Sequence, residues 1–168
     1  IGPAAAPVAG ASAGAWGDRD MSIPYAEVIG DPVAHSKSPL IHGFWLEKLG
    51  IAGEYRKTAV TADGLAAFFA ARRGDPAWRG CNVTVPHKQA VIPLLDWLDP
   101  LAERIGAVNT VVAEEGALVG YNSDAPGFLE PLLPLLPTDG CPREALLLGA
   151  GGAARAIAFA LHDAGFAL

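Results

Sequence analysis

Segments with the two-residue period of a β-strand alternate with segments that have the period of a helix from residue 25 onward. The apolar pattern predicts strands at Tyr25–Ile29, Glu54–Val60, Cys81–Val85, Val108–Ala113, Ala117–Tyr121 and Ala145–Leu148. Helices are predicted after Ser38, over Asp63–Arg73, from Pro86, after Ser123, and from Ala153 to Ala164. This alternation is typical of an α/β fold with a largely parallel sheet flanked by helices, and a hairpin at Glu114-Glu115-Gly116 makes the sheet mixed.

The first predicted helix has a clear start. Ser38 is predicted to be its N-cap and Pro39 its first residue, because proline lacks an amide hydrogen and needs no partner there. Apolar residues then recur at helical spacing up to Gly50, which ends the helix. A later helix is predicted from Pro86, and Pro93 kinks or ends it because an interior position needs an amide hydrogen.

Composition supports a folded protein, since apolar residues make up 51% of the chain and charged residues only 18%. The formal net charge of −6 argues against nucleic acid as the main partner and against an anionic membrane surface. No apolar run reaches the roughly 18 residues that a membrane span requires. Cys81 and Cys141 are far apart, and His42, His87 and His162 are interpreted as structural or surface residues. We therefore predict no disulfide framework, no metal site and a cytoplasmic setting.

Four regions are predicted along the chain. Residues 1–20 contain seven Ala, four Gly and two Pro, which indicates a flexible leader or a cloning remnant rather than a packed element. Residues 21–125 are predicted to form one domain and residues 126–142 a linker helix or loop rich in proline. Residues 143–168 are predicted to begin a second domain.

The second domain begins with a glycine-rich turn. Gly149-x-Gly151-x-x-Ala154 lies between an apolar strand and an Ala-rich helix, which is the required context of the dinucleotide fingerprint. In such a turn the backbone approaches a pyrophosphate, and amides at the helix N-terminus bind its charge. The predicted cofactor-binding residues are Gly149, Ala150, Gly151, Gly152, Ala153 and Ala154. An ordinary tight turn is the alternative, and because only residues 165–168 follow the helix, a complete dinucleotide site is not expected in this chain.

Polar stretches follow the predicted strands, where open α/β sheets bind their ligands. Ser36 and Ser38 alternate in an extended segment, so both hydroxyls can face one anion such as a carboxylate. Thr84 shares one face of its strand with Asn82. Lys88 lies near a predicted helix N-terminus, which the helix dipole disfavours, and this placement indicates a role other than stability.

Two further polar positions lie near the predicted hairpin. Asn109 interrupts an apolar strand, which costs stability unless its amide finds partners. Asp124 belongs to an Asn-Ser-Asp stretch that follows the hairpin. Taken singly, these positions have ordinary explanations, with Ser38 as a helix cap, Lys88 as a surface lysine, and residues 122–124 as a turn with a cap.

Taken together, these stretches resemble the shikimate dehydrogenase family. Five motifs occur in that family's order, namely His35-Ser36-Lys37-Ser38-Pro39, Asn82-Val83-Thr84-Val85-Pro86-His87-Lys88, Gly106-Ala107-Val108-Asn109-Thr110, Gly120-Tyr121-Asn122-Ser123-Asp124 and Gly149-Ala150-Gly151-Gly152-Ala153. They extend over residues 23–168, and five ordered motifs are far more specific than any one of them. The fourth motif departs from the family's more frequent Asn-Thr-Asp, but Ser123 keeps a hydroxyl, so we expect little effect.

The resemblance implies a substrate domain followed by a Rossmann-type NADP domain, with the active site in the cleft between them. It implies NADPH-dependent, reversible reduction of 3-dehydroshikimate to shikimate, a step toward chorismate and the aromatic amino acids. The partner would be this small molecule, with neither nucleic acid nor membrane, and a homodimer is left open. This chain would carry the substrate domain and only the first βα unit of the NADP domain, so we expect it to be inactive alone.

The resemblance also implies roles for individual residues. Lys88 and Asp124 match the family's catalytic pair. Ser36 and Ser38 would hold the substrate carboxylate with Thr84 nearby, whereas ring hydroxyls would be bound by Asn109 and Asp124. The implied substrate-binding set is Ser36, Ser38, Thr84, Lys88, Asn109 and Asp124. Two alternatives remain, a quinate or dual quinate/shikimate dehydrogenase and a non-catalytic domain that binds a hydroxy acid.

Overall fold

The structure is a computed structural model that describes residues 22–136 and 143–168. The predicted leader and residues 137–142 of the predicted linker lie outside the described residues. Within that part, the strands are Tyr25–Gly30 (β1), Glu54–Ala59 (β2), Trp78–Val83 (β3), Trp97–Leu98 (β4), Thr110–Glu114 (β5) and Ala117–Tyr121 (β6). The α-helices are Ser38–Lys48 (α1), Leu65–Arg73 (α2), Pro100–Ile105 (α3), Asp124–Leu129 (α4) and Gly152–Asp163 (α5).

The strands form one mixed sheet in the order β2-β1-β3-β5-β6-β4. β1 is parallel to β2 and β3, β5 is antiparallel to β3 and β6, and β4 is parallel to β6. The predicted mixed α/β sheet is thereby confirmed. Asn82 near the end of β3 pairs with Thr110 at the start of β5, which pairs in turn with Tyr121 at the end of β6. Polar residues that lie far apart in sequence are thus brought to one edge of the sheet.

The start of α1 differs from the prediction. Lys37 is the N-cap, and Ser38 and Pro39 are the first two helical residues, so the prediction that Ser38 caps this helix is wrong. The amide of Ser38 donates to Oγ of Ser36 at 3.2 Å. The side chain of the preceding serine therefore meets an amide at the helix start, and the Ser38 hydroxyl is not used as a cap.

The prediction of a helix from Pro86 is also wrong. Residues 85–91 form consecutive turns, which a short 3₁₀ helix at Ile92–Leu94 follows. The carbonyl of Lys88 accepts the amide of Val108 at 2.7 Å instead of the amide four residues along, and Pro93 lacks the amide hydrogen that an interior helical position needs. Lys88 therefore lies in a turn, and the helix-dipole argument for its role does not apply.

The strand predicted at Ala145–Leu148 is not formed. Within the described residues a single bridge, between Glu144 and Ala167, lies next to this segment, and Leu146 and Leu148 are 87% exposed. An apolar parallel strand is stable only beside hydrogen-bonded neighbours, and the described residues supply only this one bridge. The helix predicted to follow is present as α5.

Two elements, β4 and α3, were not predicted. The sequence does contain a helix-start pattern for α3, an aspartate followed by a proline. In the structure Asp99 is the N-cap and accepts a hydrogen bond from the amide of Leu101 at 2.9 Å, and Pro100 is the first helical residue. β4 contains only two residues, so it is too short to show a strand period.

The main core lies between the sheet and the helices α2 and α3. It includes Ile29, Trp78, Val108 and Val111 of the sheet region together with Leu65, Phe69 and Ala102 of the helices. A smaller cluster joins α3, α4 and α5 through Ile105, Ala125, Ala156 and Ala160. By contrast, α1 has no buried residue, and its apolar side chains are exposed at Leu40, Ile41, Phe44, Trp45 and Leu49.

A buried carboxylate links β1 to α2. Glu27 has no exposed surface, and Nε of Arg72 donates to its Oε1 at 2.7 Å. The hydroxyl of Thr58 on β2 donates to the other oxygen of Glu27. Because an unpaired charge in a protein interior is costly, this ion pair holds α2 against the sheet at one position.

We expect the substitution Arg72→Met to lower the free energy of unfolding by about 3 kcal/mol, because it leaves the buried carboxylate of Glu27 without its cation. Arg73→Met is the matched control, since Arg73 pairs with Asp96 and both side chains of that pair are more than a third exposed. The control should lose less than about 1 kcal/mol. Urea unfolding of both variants measures the difference, and equal losses would contradict this account of Glu27.

Candidate functional site

A polar cavity of about 400 Å³ lies at the edge of the sheet where β1 and β3 end and β5 begins. Its lining includes all six residues predicted to bind substrate, Ser36, Ser38, Thr84, Lys88, Asn109 and Asp124. It also includes His42, Asn82, Pro32 and the apolar side chains of Val28, Val33 and Val83. The cavity therefore joins two adjacent hydroxyls, one ammonium, one carboxylate and several uncharged hydrogen-bonding groups.

The two serines form one corner of the cavity. Ser36 Oγ donates to Ser38 Oγ at 3.1 Å, so the two hydroxyls lie side by side. The loop that carries them turns back at Val33, whose carbonyl accepts the amide of Ser36, and Nζ of Lys57 donates to the carbonyl of Ala34. If the Ser36 hydroxyl turns its hydrogen from Ser38 to a ligand, both hydroxyls can donate to the oxygens of one carboxylate.

Lys88 and Asp124 also line the cavity, and they form an ion pair. Nζ of Lys88 donates to Oδ2 of Asp124 at 2.5 Å, and the side chains are 13% and 26% exposed. The second carboxylate oxygen of Asp124 accepts a hydrogen bond from Nδ2 of Asn109 at 2.8 Å. With both oxygens engaged, the carboxylate cannot rotate without losing a bond, and it fixes the position of the ammonium group.

Asn109 finds the partners that its position in an apolar stretch requires. Its amide nitrogen donates to Ser123 Oγ as well as to Asp124, both at 2.8 Å. Its carbonyl oxygen accepts from the amide of Ser123 and from the hydroxyl of Thr110, both at 3.0 Å. These bonds offset the cost of burying the amide and join the start of β5 to the start of α4.

Asn122 was not among the predicted site residues, although it orients Asp124. Its buried side chain donates to the carbonyl of Ala107 at 2.9 Å. Its carbonyl oxygen accepts from the amides of Asp124 at 3.0 Å and Ala125 at 3.3 Å, so Asn122 supplies the side-chain acceptor at the start of α4. The interpretation of residues 122–124 as a turn with a cap applies to Asn122. The Asn-Ser-Asp motif could therefore have identified Asn122 as a residue that orients Asp124.

Two aromatic side chains were also missed, His42 in the cavity lining and Tyr55, which contacts the lining residue Asn82. The hydroxyl of Tyr55 donates to Oδ1 of Asn82 at 2.5 Å, and Nδ2 of Asn82 donates to Oγ1 of Thr110 at 3.1 Å. The ring of His42 stacks on that of Tyr55, with centroids 4.1 Å apart and planes 10° apart. Because this stack joins α1 to β2, no sequence spacing predicts it, and the interpretation of His42 as a structural or surface residue overlooked its place in the wall.

Burial adjusts the protonation of both rings. It raises the pKa of the Tyr55 hydroxyl well above its ordinary value, so this group remains a hydrogen-bond donor. It lowers the pKa of His42, so the imidazole is uncharged at neutral pH. The wall that carries Asn82 is therefore polar but without charge, and the charged pair is confined to Lys88 and Asp124.

The predicted cofactor-binding residues form a turn before α5. Gly149 has a φ of +140°, which side chains other than hydrogen disfavour. Gly151 is the N-cap in an extended conformation, and no side chain caps the helix, so its first amides have no side-chain acceptor. This turn fits a pyrophosphate, which approaches the backbone and accepts from such amides.

No helix among the described residues is long and apolar enough to cross a membrane. In the same part of the chain, no three side chains of the metal-ligating types gather into one group.

Comparisons with known proteins agree with this geometry. Residues 28–111, half of the chain, match the family described as the shikimate dehydrogenase substrate binding domain. The chain is 58% identical over 142 residues to the NADP⁺ shikimate dehydrogenase of Sphingopyxis alaskensis, covering 84% of this chain and 51% of that protein. The chain thus spans about half the length of the curated relatives it matches.

Solved structures show the same similarity. A shikimate dehydrogenase from Thermus thermophilus, in complex with NADP(H) and shikimate, superposes with a TM-score of 0.75 at 48% identity, covering 86% of this chain and 54% of that one. A ligand-free 5-ketofructose reductase from Gluconobacter superposes with a TM-score of 0.74 at 35% identity, covering 88% of this chain and 52% of that one.

We expect Asn122→Ala to lower the free energy of unfolding by about 2 kcal/mol, because it leaves the amides at the start of α4 and the carbonyl of Ala107 without a side-chain partner. Ser123→Ala is the matched control, and it should cost about 1 kcal/mol or less, since it removes a single acceptor of Asn109. Urea unfolding gives the stabilities, and the NMR shift of the Asp124 amide reports its capping bond. An unchanged Asp124 resonance in Asn122→Ala would contradict the orienting role.

Proposed function

The chain belongs to the shikimate dehydrogenase family, and from this we propose that it is the substrate-binding half of an NADP-dependent shikimate dehydrogenase. The observation that carries the proposal is the single cavity lined by all six predicted substrate-binding side chains. The complete reaction is proposed for this half joined to the further half that the relatives possess. We infer a cytoplasmic enzyme of the pathway toward the aromatic amino acids.

The cavity suits a ring that carries a carboxylate at one end and hydroxyls at the other. The paired hydroxyls of Ser36 and Ser38 would donate to the carboxylate, with Thr84 beside them. On the other side, Asn109 and Asp124 would bind the ring hydroxyls. Because these groups are already held by hydrogen bonds within the protein, binding would order few additional side chains.

Lys88 would carry the proton transfer. When the ketone of 3-dehydroshikimate is reduced, negative charge develops on its oxygen, and the ammonium of Lys88 would stabilise this charge and donate the proton. In the reverse direction the amine would accept the hydroxyl proton of shikimate. Asp124 would orient Lys88 and bind a neighbouring hydroxyl of the ring, which keeps the reacting oxygen within reach.

The turn before α5 would hold the pyrophosphate of the cofactor. Gly149 and Gly151 leave its backbone accessible, and the amides at the start of α5 would bind the phosphate charge. When bound, NADPH supplies the hydride to the carbonyl carbon. The chain spans about half the length of its relatives, and the ribose and adenine contacts of a dinucleotide fold would come from the half that it does not cover.

Binding and turnover can be tested in two proteins. The first is the chain itself, and the second is a chimera in which it continues into the C-terminal half of the Sphingopyxis alaskensis relative. We expect calorimetry to detect shikimate binding to the chain and hardly any NADP⁺ binding, because the turn before α5 would supply only the pyrophosphate contacts of a dinucleotide site. The chimera should reduce NADP⁺ in the presence of shikimate. A folded chimera that neither binds nor oxidises shikimate would overturn the proposal, whereas faster turnover with quinate would favour a quinate dehydrogenase.

We expect Lys88→Ala in the chimera to lower kcat by about 10²-fold or more, in the range of a positioned acid or base. The KM for shikimate should change much less, because the lost interaction is made chiefly in the transition state. Lys48→Ala, at the end of α1, is the control and should leave both constants unchanged. Steady-state absorbance at the NADPH band gives the values, and an unchanged kcat with a raised KM would make Lys88 a binding residue only.

A further inference from the structure

The dinucleotide fingerprint does not account for Gly152. In Gly149-x-Gly151-x-x-Ala154 this residue occupies a variable position, where any side chain satisfies the pattern. It is the first residue of α5, so its backbone is helical and does not require glycine. A physical reason for glycine must therefore come from its surroundings.

The surroundings supply that reason. A Cβ at position 152 would lie 2.7 Å from Cβ of Lys88, 3.1 Å from its Cδ and 3.4 Å from its Cγ. The neighbouring Gly151 has nothing within 4 Å of the corresponding position. The missing side chain of Gly152 thus makes room for the aliphatic stem of Lys88, and this close approach is particular to position 152.

Lys88 cannot easily withdraw from such a contact. Its carbonyl accepts the amide of Val108 at 2.7 Å, and its ammonium is bound to Asp124. The preceding residue, His87, is buried, with Nε2 2.6 Å from the carbonyl oxygen of Val60. Since the main chain is held on both sides, an added methyl group would be relieved by turning the lysine side chain away from Asp124 or by displacing α5.

The position of α5 is fixed as well. Ala156 and Ala160 of this helix are buried against Ala125 of α4, the helix that begins with Asp124. The helix after the cofactor turn and the helix that carries the carboxylate partner of Lys88 therefore form one packed unit. Gly152 belongs to this unit and contacts Lys88. The aliphatic part of the Lys88 side chain is therefore confined between α5 and Asp124.

We propose that Gly152 is a positioning residue for Lys88, whose missing side chain lets the cofactor turn confine the lysine stem and keep its ammonium on Asp124. The contact itself is independent of any ligand, whereas its effect on turnover rests on the function proposed above. Through this contact, the turn that would hold the pyrophosphate also sets the place of the proton donor.

The contact can be tested on the chain without substrate or cofactor. We expect Gly152→Ala to make Lys88 react several-fold faster with an acylating ester, measured by peptide mass spectrometry against Lys37 and Lys48 as internal references. Gly151→Ala should leave the labelling of Lys88 unchanged, because its added methyl group meets no atom. Equal labelling of Lys88 in the wild type and in Gly152→Ala would overturn the proposal.

Thermal unfolding gives a second measurement that does not depend on labelling. Gly152→Ala should lower Tm in the wild-type background and lower it much less in a Lys88→Gly background, where the clashing Cβ is absent. The comparison also tests the contact if Gly152→Ala folds poorly, because the double variant with Lys88→Gly should then fold again. An equal loss in both backgrounds would contradict a contact with Lys88.

Turnover is measured in the chimera. Displacing a catalytic group by about 1 Å can cost 10²-fold, so we expect Gly152→Ala to lower kcat by about 10-fold to 100-fold with little change in the KM for shikimate. Gly151→Ala should instead raise the KM for NADP⁺. If Gly152→Ala raised only the KM for NADP⁺, Gly152 would be a pyrophosphate residue and the proposal would be wrong. A folded wild-type chimera that neither binds nor oxidises shikimate would refute the proposed function, and the labelling result would still decide the contact.

Discussion

The site depends on the carboxylate of Asp124. One of its oxygens binds the ammonium of Lys88 and the other binds the amide of Asn109, so a single group connects the turn after β3, the start of β5 and the start of α4. These three segments lie far apart in sequence. They meet because β5 runs antiparallel between β3 and β6, which puts the start of one strand beside the ends of two others.

Around this carboxylate, polar groups satisfy one another in a continuous series. The hydroxyl of Tyr55 donates to Asn82, Asn82 donates to Thr110, and Thr110 donates to Asn109. Each donor of this series has an acceptor, so the energetic cost of placing the amides of Asn82 and Asn109 inside an apolar sheet is largely offset. The direction of the Asn109 amide is fixed, since reversing it would set its oxygen against the carboxylate of Asp124 and its NH₂ against the amide of Ser123.

Local chemistry explains which elements were predictable from sequence. The β5–β6 hairpin and α2 were predicted because their apolar periods and turn residues act within a few positions. The helix from Pro86 failed because the carbonyl of Lys88 bonds to the amide of Val108, which is distant in sequence, and the strand at Ala145–Leu148 failed because strands also depend on distant partners.

The site was predictable to the extent that its residues follow strand ends. The six substrate-binding candidates were identified from polar positions at those ends and from the ordered motifs, and they line one cavity. The stack of His42 on Tyr55 was not predictable, because it depends on how α1 lies across the sheet. Asn122 could have been identified, since an asparagine two residues before a helix is a frequent capping residue.

The reciprocal bonds of Asn109 have a consequence for how this protein can diverge. Its amide faces the carboxylate of Asp124 while its carbonyl faces an amide and a hydroxyl, so aspartate at position 109 would set two carboxylates against each other. An exchange at position 124 alone would leave Lys88 without its anion. Positions 88, 109 and 124 are therefore expected to change together or not at all in descendants of this sequence.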